Sequence, residues 1–285
     1  MSHVRRLAKD GEFGAALSGV LRLARLAGSV GLVSEPGSPW TMRLDGGESA
    51  RFHIVLRGRC RLTTAAIERE LGDGDCVLLP WGDPHTVSAG PVELLCGCFE
   101  LDRGIGHPLF AELPELIRLR RGGLCQPRWP EIVSAVLAAA RASDPMPDHL
   151  TEALLIELLR GFALASPQPH GFLAAAMDRR IARALSVIHQ QWRRDLALAD
   201  LAQASGMSRS NLVLRFKELL GITPVAYLTS WRMQQARQLL ITTDTTLIEI
   251  AELAGYASES AFSRAFKRAL AHSPSRFRRT SRAEA

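Results

Sequence analysis

The pattern of hydrophobic and polar positions changes character along the chain. Between Leu44 and Leu101, short apolar runs are bounded by Gly, Asp or Pro, as in RFHIVLRG, CRLTTAAI, GDCVLLPWGDPH and VELLCGCFEL. Such runs between turn-forming residues predict β-strands, and several in succession predict a sandwich or barrel. After Pro114 apolar residues recur every three or four positions. This spacing predicts two helices, over WPEIVSAVLAAARA and DHLTEALLIELLRGFALA.

The C-terminal part of the chain contains an internal repeat. Leu198–Pro224, LADLAQASGMSRSNLVLRFKELLGITP, returns as Leu247–Pro274, LIEIAELAGYASESAFSRAFKRALAHSP. Each copy has the pattern of two helices joined by a tight turn, which Gly206 supplies in the first copy. The repeat therefore predicts two helix-turn-helix units. A helix predicted over Pro224–Ile241 would set the distance between them, about 34 Å if both enter successive major grooves.

The second helix of each unit has one apolar face and one polar face. Ser208 and Ser258 are predicted N-caps, and Leu212, Phe216 and Leu219 in the first unit, with Phe262 and Phe266 in the second, are predicted to be buried. The opposite faces are candidates for DNA contact. In the first unit they comprise Arg209, Ser210, Asn211, Val213, Leu214, Arg215 and Lys217, and in the second Ser260, Ala261, Ser263, Arg264 and Lys267.

The charge of the chain agrees with this assignment. From Asp178 to the end there are 17 Lys and Arg against nine Asp and Glu, whereas Met1–Met177 has 18 against 20. A basic surface is expected where phosphates must be neutralised, because nucleic-acid affinity depends on Lys and Arg. Arg264 is the leading candidate for base contact, since its fork can bond O6 and N7 of guanine. Lys217 is expected to contact phosphate.

The repeat with its linking helix resembles the DNA-binding domain of AraC/XylS-type transcription regulators. The resemblance covers Arg183–Arg279 and is carried by GYxSESAF, SxxxFSRAFKR and a proline at both unit ends. Leu214 stands where the second unit has Arg264, and Arg215 occupies the next position, which is usually apolar. We therefore expect apolar contacts from Val213 and Leu214, such as with thymine methyls, and polar readout mainly from the second unit.

The N-terminal half resembles the cupin-like sensor domain of a subset of these regulators, over Leu17–Leu119. GDCVLLPWGDPH fits the second cupin signature through Gly74, Pro80, Gly82 and His85, while the first signature retains only His53. The resemblance implies an α+β chain, with a cupin-like β-barrel and a helical pair at 1–165 and an all-α domain with two helix-turn-helix units at 178–285. Proline and small polar residues in SPQPHG, which begins at Ser166, predict a linker at 166–177.

Three kinds of signal remain open for the sensor domain. A small organic effector could be lined by Trp40, Phe52, His53 and Trp81; no cofactor is required. His53 and His85 with Cys96 could bind a metal such as Zn²⁺. Thiol oxidation could join Cys96 or Cys98 to Cys60, since Cys96 and Cys98 themselves lie at about the limit for a disulfide. The complete set of effector or redox candidates is Trp40, His53, Cys60, Trp81, His85, Cys96 and Cys98.

Two classes of function follow from these features. The doubled unit favours a transcription regulator that binds double-stranded promoter DNA, and RNA polymerase as well if it activates. The alternative is a cupin metalloenzyme with a helical appendage, although the incomplete first signature argues against an enzyme. The other histidines, including His107 and His189, are scattered singly. A homodimer could form through Pro130–Ala165. Five cysteines without a CxxC pair and no long apolar run predict a cytoplasmic protein without a membrane span.

Overall fold

The structure is a computed structural model that describes residues 2–35, 39–102, 106–120, 128–142 and 146–283. Within these ranges the strands are β1 (Ala27–Glu35), β2 (Trp40–Leu44), β3 (Ala50–Thr63), β4 (Glu68–Leu71), β5 (Cys76–Leu79), β6 (His85–Glu100) and β7 (Ile117–Leu119). The helices are α1 (Ser2–Leu23), α2 (Pro108–Ala111), α3 (Trp129–Ala142), α4 (Asp148–Ala165), α5 (Phe172–Met177), α6 (Arg179–Gln191), α7 (Leu198–Ser205), α8 (Arg209–Leu220), α9 (Pro224–Thr242), α10 (Leu247–Leu253), α11 (Glu259–Leu270) and α12 (Pro274–Ala283).

The chain divides into two compact units, and the division differs from the predicted domain boundaries. The sheet unit comprises Ala24–Arg103 and Leu109–Gln168, and the helical unit comprises Met1–Leu23, Gly104–Pro108 and Pro169–Ala285. The helical unit thus includes α1 and the short segment before α2, which the prediction placed in a domain at 1–165. In α1, the buried residues Phe13, Ala16, Leu17, Val20 and Leu21 form a stripe at helical spacing.

The predicted linker at 166–177 includes a helix. Its second half is α5, in which Phe172 and Ala175 are fully buried. Proline and small polar residues in SPQPHG had indicated a linker, but the apolar residues that follow pack into the helical unit. Only the residues before α5 keep the character of a connection.

The sheet is antiparallel and is built around β3 and β6. Its strand order is β1-β6-β3-β5-β7, with β2 also paired to β6 and β4 to β3. The runs RFHIVLRG and CRLTTAAI were predicted as separate strands. The first run and the CRLT of the second form one strand, β3, with register shifts at Val55/Arg57 and Gly58/Cys60. Gly58 has a φ of +96°, and a Cβ there would lie 2.6 Å from the carbonyl oxygen of Pro91. Glycine therefore permits β3 to pass close to β6 at the bulge.

Alternation along β3 sends neighbouring side chains to opposite faces of the sheet. Phe52 is fully buried and stacks on Phe99 with ring centroids 4.9 Å apart. His53 points to the other face, opposite Cys96 of β6 and Val77 of β5. The assignment of Phe52 to the same lining as His53 is therefore wrong. The face of His53 belongs to a core whose buried members include Val55, Cys60, Leu62, Val77, Leu79, Val87 and Leu94.

The two predicted helices after the sheet are confirmed as α3 and α4. They differ in burial: α4 is buried almost all round, with Leu154, Leu158 and Leu159 at 0–1% exposure, whereas Val136 is the buried residue of α3. In the helical unit, α7–α8 and α10–α11 form the two predicted helix-turn-helix units. No helix among the described residues has an apolar stretch long enough to cross a membrane.

Candidate nucleic-acid interface and sensor site

The first recognition helix, α8, begins and ends as the sequence predicts. The Ser208 hydroxyl accepts a hydrogen bond from the backbone N–H of Asn211, and Gly206 ends α7 with a φ of 64°. Leu212, Phe216 and Leu219 are buried. These three side chains hold one face of α8 against the core, so the opposite face points outward.

The outward face of α8 carries most of the predicted DNA contacts. Arg209, Ser210, Asn211 and Lys217 are exposed, and Val213 is partly exposed. Leu214 is 69% exposed, an unusual cost for a large apolar side chain on a helix whose apolar stripe is otherwise buried. Its exposure suits a residue that contacts an apolar group of a ligand.

Arg215 has an intramolecular role that the sequence did not indicate. Its guanidinium donates to Asp178 at 2.8 Å and to Glu218 at 2.8 Å. Hydrogen bonds to Glu218 and Asp178 raise the pKa of Arg215. The Asp178 carboxylate also caps α6, by accepting from the backbone N–H groups of Arg180 and Ile181. Arg215 thus connects the middle of α8 to the start of α6.

The second recognition helix, α11, has the same design with a more polar outer face. The Ser258 hydroxyl accepts from the backbone N–H of Ala261, and Phe262 and Phe266 are fully buried. Ser260, Arg264 and Lys267 are exposed, while Ala261 and Ser263 are partly exposed. Among the described residues Arg264 takes part in no ion pair, so its guanidinium can serve an external acceptor.

The linking helix α9 contributes to the cores of both units. Tyr227, Leu228 and Trp231 in its first half are buried. Met233, Ala236 and Leu240 in its second half belong to the core that holds Phe262 and Phe266. The two units therefore share one continuous helix, as predicted from Pro224 onward.

In the sheet unit, three candidate sensor residues meet on the inner face. The His53 ring lies between Cys96 and His85, with Nδ1 3.1 Å from the Cys96 Sγ and Nε2 2.8 Å from the His85 Nε2. The His85 Nδ1 lies 2.8 Å from the Asp83 carbonyl oxygen, which can only accept, so this nitrogen carries the proton. The His85 Nε2 then accepts from His53 Nε2–H, and His53 Nδ1 accepts from the Cys96 thiol.

The inferred protonation states of Cys96, His53 and His85 agree with the burial of these side chains. Burial, followed by the nearby His85 and Arg51, lowers the pKa of His53 to about 3, and burial also lowers that of His85. Burial raises the pKa of Cys96 to about 12 and that of Cys60 to about 11. At neutral pH both histidines are neutral and both thiols are protonated.

The remaining sensor candidates lie in other surroundings. Trp81 donates its indole N–H to the Leu113 carbonyl oxygen at 3.1 Å, and Cys98 lies 3.1 Å from the Ser29 hydroxyl. Trp40 and Cys60 line a pocket of about 370 Å³ between β2, β3, β4 and β6. The indole nitrogen of Trp40 is buried and has no hydrogen-bond partner among the described residues. The other residues of the pocket are Pro39, Thr41, Arg59, Arg61, Glu70, Ser88, Ala89 and Gly90.

Comparison with known proteins agrees with both halves of this architecture. The profile of the cupin family matches residues 15–163, and that of a helix-turn-helix domain matches residues 201–280. A Streptomyces lividans protein named as an AraC-like transcription regulator is 29% identical over 296 residues, which cover 92% of this chain and 97% of that protein. The HTH-type transcriptional regulator AlkR of Acinetobacter baylyi is 28% identical over 280 residues, covering 85% and 92%. The chain belongs to the AraC family of transcription regulators with an N-terminal cupin domain.

In this AraC-family regulator, the His53 cluster does not fit a metal site as it stands. A metal needs lone pairs that converge on one point. Here the one ring nitrogen with a lone pair in each histidine, His53 Nδ1 and His85 Nε2, accepts a hydrogen bond, and Cys96 and His85 lie on opposite sides of the His53 ring. No group of three or more His, Cys, Asp or Glu side chains in the described ranges is placed to hold a metal ion.

A buried hydrogen-bonded cluster in the helical unit was missed by the sequence reasoning. Tyr227 of α9 joins His107 and His189 through its hydroxyl, at 2.9 Å from the Nε2 of each ring. The His189 Nδ1 lies 3.0 Å from the Ala16 carbonyl oxygen and so carries the proton. The His189 Nε2 therefore accepts from the Tyr227 hydroxyl, whose oxygen accepts from His107. The interpretation of these two histidines as scattered single residues is wrong.

The same cluster explains why α1 belongs with the helical unit. A Cβ on Gly19 of α1 would lie 2.5 Å from the Cβ of His189, so glycine allows the two helices to approach closely. Glu12 of α1 receives hydrogen bonds from Arg179 and Arg183 of α6. The apolar stripe from Phe13 to Leu21 was the one available signal in the sequence. The partners of this stripe are distant in sequence and could not be inferred from it.

Proposed function

We propose that this regulator binds promoter DNA sequence-specifically through α8 and α11, and that a signal sensed in the cupin domain controls the binding. The proposal depends on one observation: both recognition helices are capped, anchored by buried apolar residues, and face outward with their candidate contact residues exposed. Exposed Lys217 and Lys267 stand at matching positions to neutralise phosphate.

The two helices are expected to read DNA by different chemistry. Arg264 on α11 is exposed, and its guanidinium fork matches O6 and N7 of guanine in the major groove. Leu214, at the corresponding position of α8, is 69% exposed and suits contact with a thymine methyl. Base preference would then depend mainly on hydrogen bonds in the half-site of α11, and mainly on apolar contacts or DNA shape in the half-site of α8.

Selection of binding sites from a random duplex library by the full-length protein tests this proposal. We expect a two-part site, one half-site for each recognition helix. Arg264→Ala should lose about 1–3 kcal/mol of discrimination at one base pair of the second half-site. Lys217→Ala is the matched control, because it removes a cation that is not expected to contact a base. It should weaken binding to all sequences about equally. Unchanged base preference in Arg264→Ala would show that the outward face of α11 has been assigned wrongly.

We infer that the signal is a small organic effector that binds the pocket beside Trp40. The volume of about 370 Å³ lies within the range of ligand pockets. Trp40 lines this pocket and offers an aromatic ring to an apolar group of an effector, while Arg59, Arg61 and Glu70 offer charged partners for its polar groups.

A reporter driven by the selected site distinguishes an effector from oxidation. With growth conditions and oxidant varied, Trp40→Phe, which replaces the indole that lines the pocket by a smaller ring, should lose the response to growth conditions. A variant with Ser at all five cysteines should respond like the wild type. If the Ser variant lost its response and Trp40→Phe kept it, thiol oxidation would replace the effector as the signal.

Assembly is the remaining part of the proposal. We expect a homodimer through α3 rather than α4, because α4 is already buried and α3 leaves Ile132, Val133 and Leu137 partly exposed. Contact with RNA polymerase is expected if binding activates transcription. Sedimentation of the purified protein tests for the homodimer. Transcription from a template that carries the selected site tests for the contact with RNA polymerase.

A further inference from the structure

We propose that Arg232 is a positioning residue that fixes the angle between the two helix-turn-helix units and so sets the half-site spacing that the regulator accepts. This inference rests on the proposed function, because spacing has meaning only if both units bind DNA. Arg232 lies at the middle of α9, between Trp231, which is buried in the first half of the helix, and Met233, which belongs to the second core.

One side of the Arg232 guanidinium holds the first unit. Its Nε donates to the Trp192 carbonyl oxygen at 2.9 Å, and one terminal nitrogen donates to the Arg194 carbonyl oxygen at 2.7 Å. Trp192 is the C-cap residue of α6, Arg194 lies in the connection from α6 to α7, and α6 packs against α7. The last carbonyls of a helix have no partner within the helix, and a cation there is favourable. Arg232 therefore closes the end of α6 and ties α9 to the first unit.

The other side of the guanidinium meets the second unit at its turn. Gly255, between α10 and α11, has a φ of +78°, and a Cβ there would lie 2.5 Å from a terminal nitrogen of Arg232 and 3.0 Å from its Cζ. Only glycine leaves room for the guanidinium under this turn. The same rigid planar group thus touches the end of α6 and the turn that precedes α11.

Small changes of angle at this point have large effects on DNA. Arg232 lies about 15 Å from the C-terminal end of α9, so a tilt of about 15° around Arg232 moves that end by about 4 Å. The rise per base pair is about 3.4 Å. A loss of angular control would therefore let the second recognition helix reach positions more than one base pair away from its preferred site.

The experiment measures affinity of the full-length protein for its selected two-part site with the spacing lengthened or shortened by one and two base pairs. We expect the wild type to lose about tenfold in affinity per base pair of change. Arg232→Ala should bind the site with the preferred spacing less tightly than the wild type does. Its affinity should fall by only about threefold or less for each base pair of change in spacing. Gly255→Ala, which displaces the guanidinium, should have the same effect.

Two further variants complete the test. Arg237→Ala removes another arginine of α9, one that lies over the Phe277 ring, and it should keep the wild-type dependence on spacing. Arg232→Lys keeps the charge without the planar fork, so it should also relax the spacing dependence, and it replaces Arg232→Ala if that variant does not fold.

The possible results separate the two proposals. If Arg232→Ala or Arg232→Lys kept the full wild-type penalty, the positioning role would be refuted while DNA binding stood. If the wild type selected no sequence at all, the proposed function would fail and this inference with it.

Discussion

Replacement of Tyr227 by phenylalanine tests whether the buried His–Tyr–His cluster stabilises the helical unit. Tyr227, His107 and His189 are only 3–6% exposed, so water cannot replace the lost hydroxyl. The change leaves the His107 N–H and the His189 Nε2 lone pair without the partner that each has at 2.9 Å. An orphaned buried polar group costs about 1–3 kcal/mol, so the loss at the His189 Nε2 alone should lower the free energy of unfolding by about this amount.

Urea unfolding followed by circular dichroism at 222 nm measures this loss, because most of the helices lie in the helical unit. Tyr256→Phe is the matched control, since Tyr256 is the other tyrosine of the chain and is partly exposed. We expect this control to change the free energy of unfolding by less than about 0.5 kcal/mol. An equally small effect of Tyr227→Phe would refute the inferred direction of the hydrogen bonds and their contribution to stability.

Three other predictions concern stability and reactivity. Burial lowers the pKa of His53 and of His189 to about 3. Below about pH 6.5 the unfolded chain therefore binds protons at these histidines that the folded chain does not bind. Each histidine should lower the free energy of unfolding by about 1.4 kcal/mol for each unit by which the pH falls in this range. Urea titrations between pH 7.5 and 5.5 should show this decline with a smaller slope for His189→Gln, and an unchanged slope would contradict it. Asp178→Ala should cost about 1–2 kcal/mol because it removes the cap of α6 and the partner of Arg215, whereas Asp178→Asn, which keeps the cap, should recover most of this loss in thermal unfolding. Cys60 and Cys96, whose thiol pKa values are raised to about 11 and 12, should resist iodoacetamide at pH 7.5 in the folded protein and react in urea, as measured by peptide mass spectrometry; rapid modification of the folded protein would overturn their assignment as protonated thiols.

Local patterns predicted the elements whose signals are contained within a few residues. Ser208 and Ser258 as caps, Gly206 as the end of α7, and the buried stripes of α8 and α11 needed only helical spacing and the chemistry of helix ends. The helices α3 and α4 were found at their observed bounds for the same reason. The repeat carried the identity of the family because its motif is long and local.

Features that join distant segments could not be predicted in this way. A β-bulge at Gly58 turned two predicted strands into one, because the register between β3 and β6 depends on both strands. The placement of α1 depended on His189 and Glu12, which contact residues more than 160 positions away. The sensor residues were gathered from the cupin signatures, but the structure put His53, His85 and Cys96 in one hydrogen-bonded chain and Trp40 with Cys60 at a separate pocket.

The sequence by itself determined the family, the two recognition helices and the residues on their outer faces, because capping and amphipathic spacing act over a few positions along the chain. Only the tertiary structure decided what α1, Tyr227 and Arg232 do. Each of these acts through contacts with buried groups or backbone carbonyls from other helices. Such contacts depend on how complete elements pack, and no local pattern encodes them.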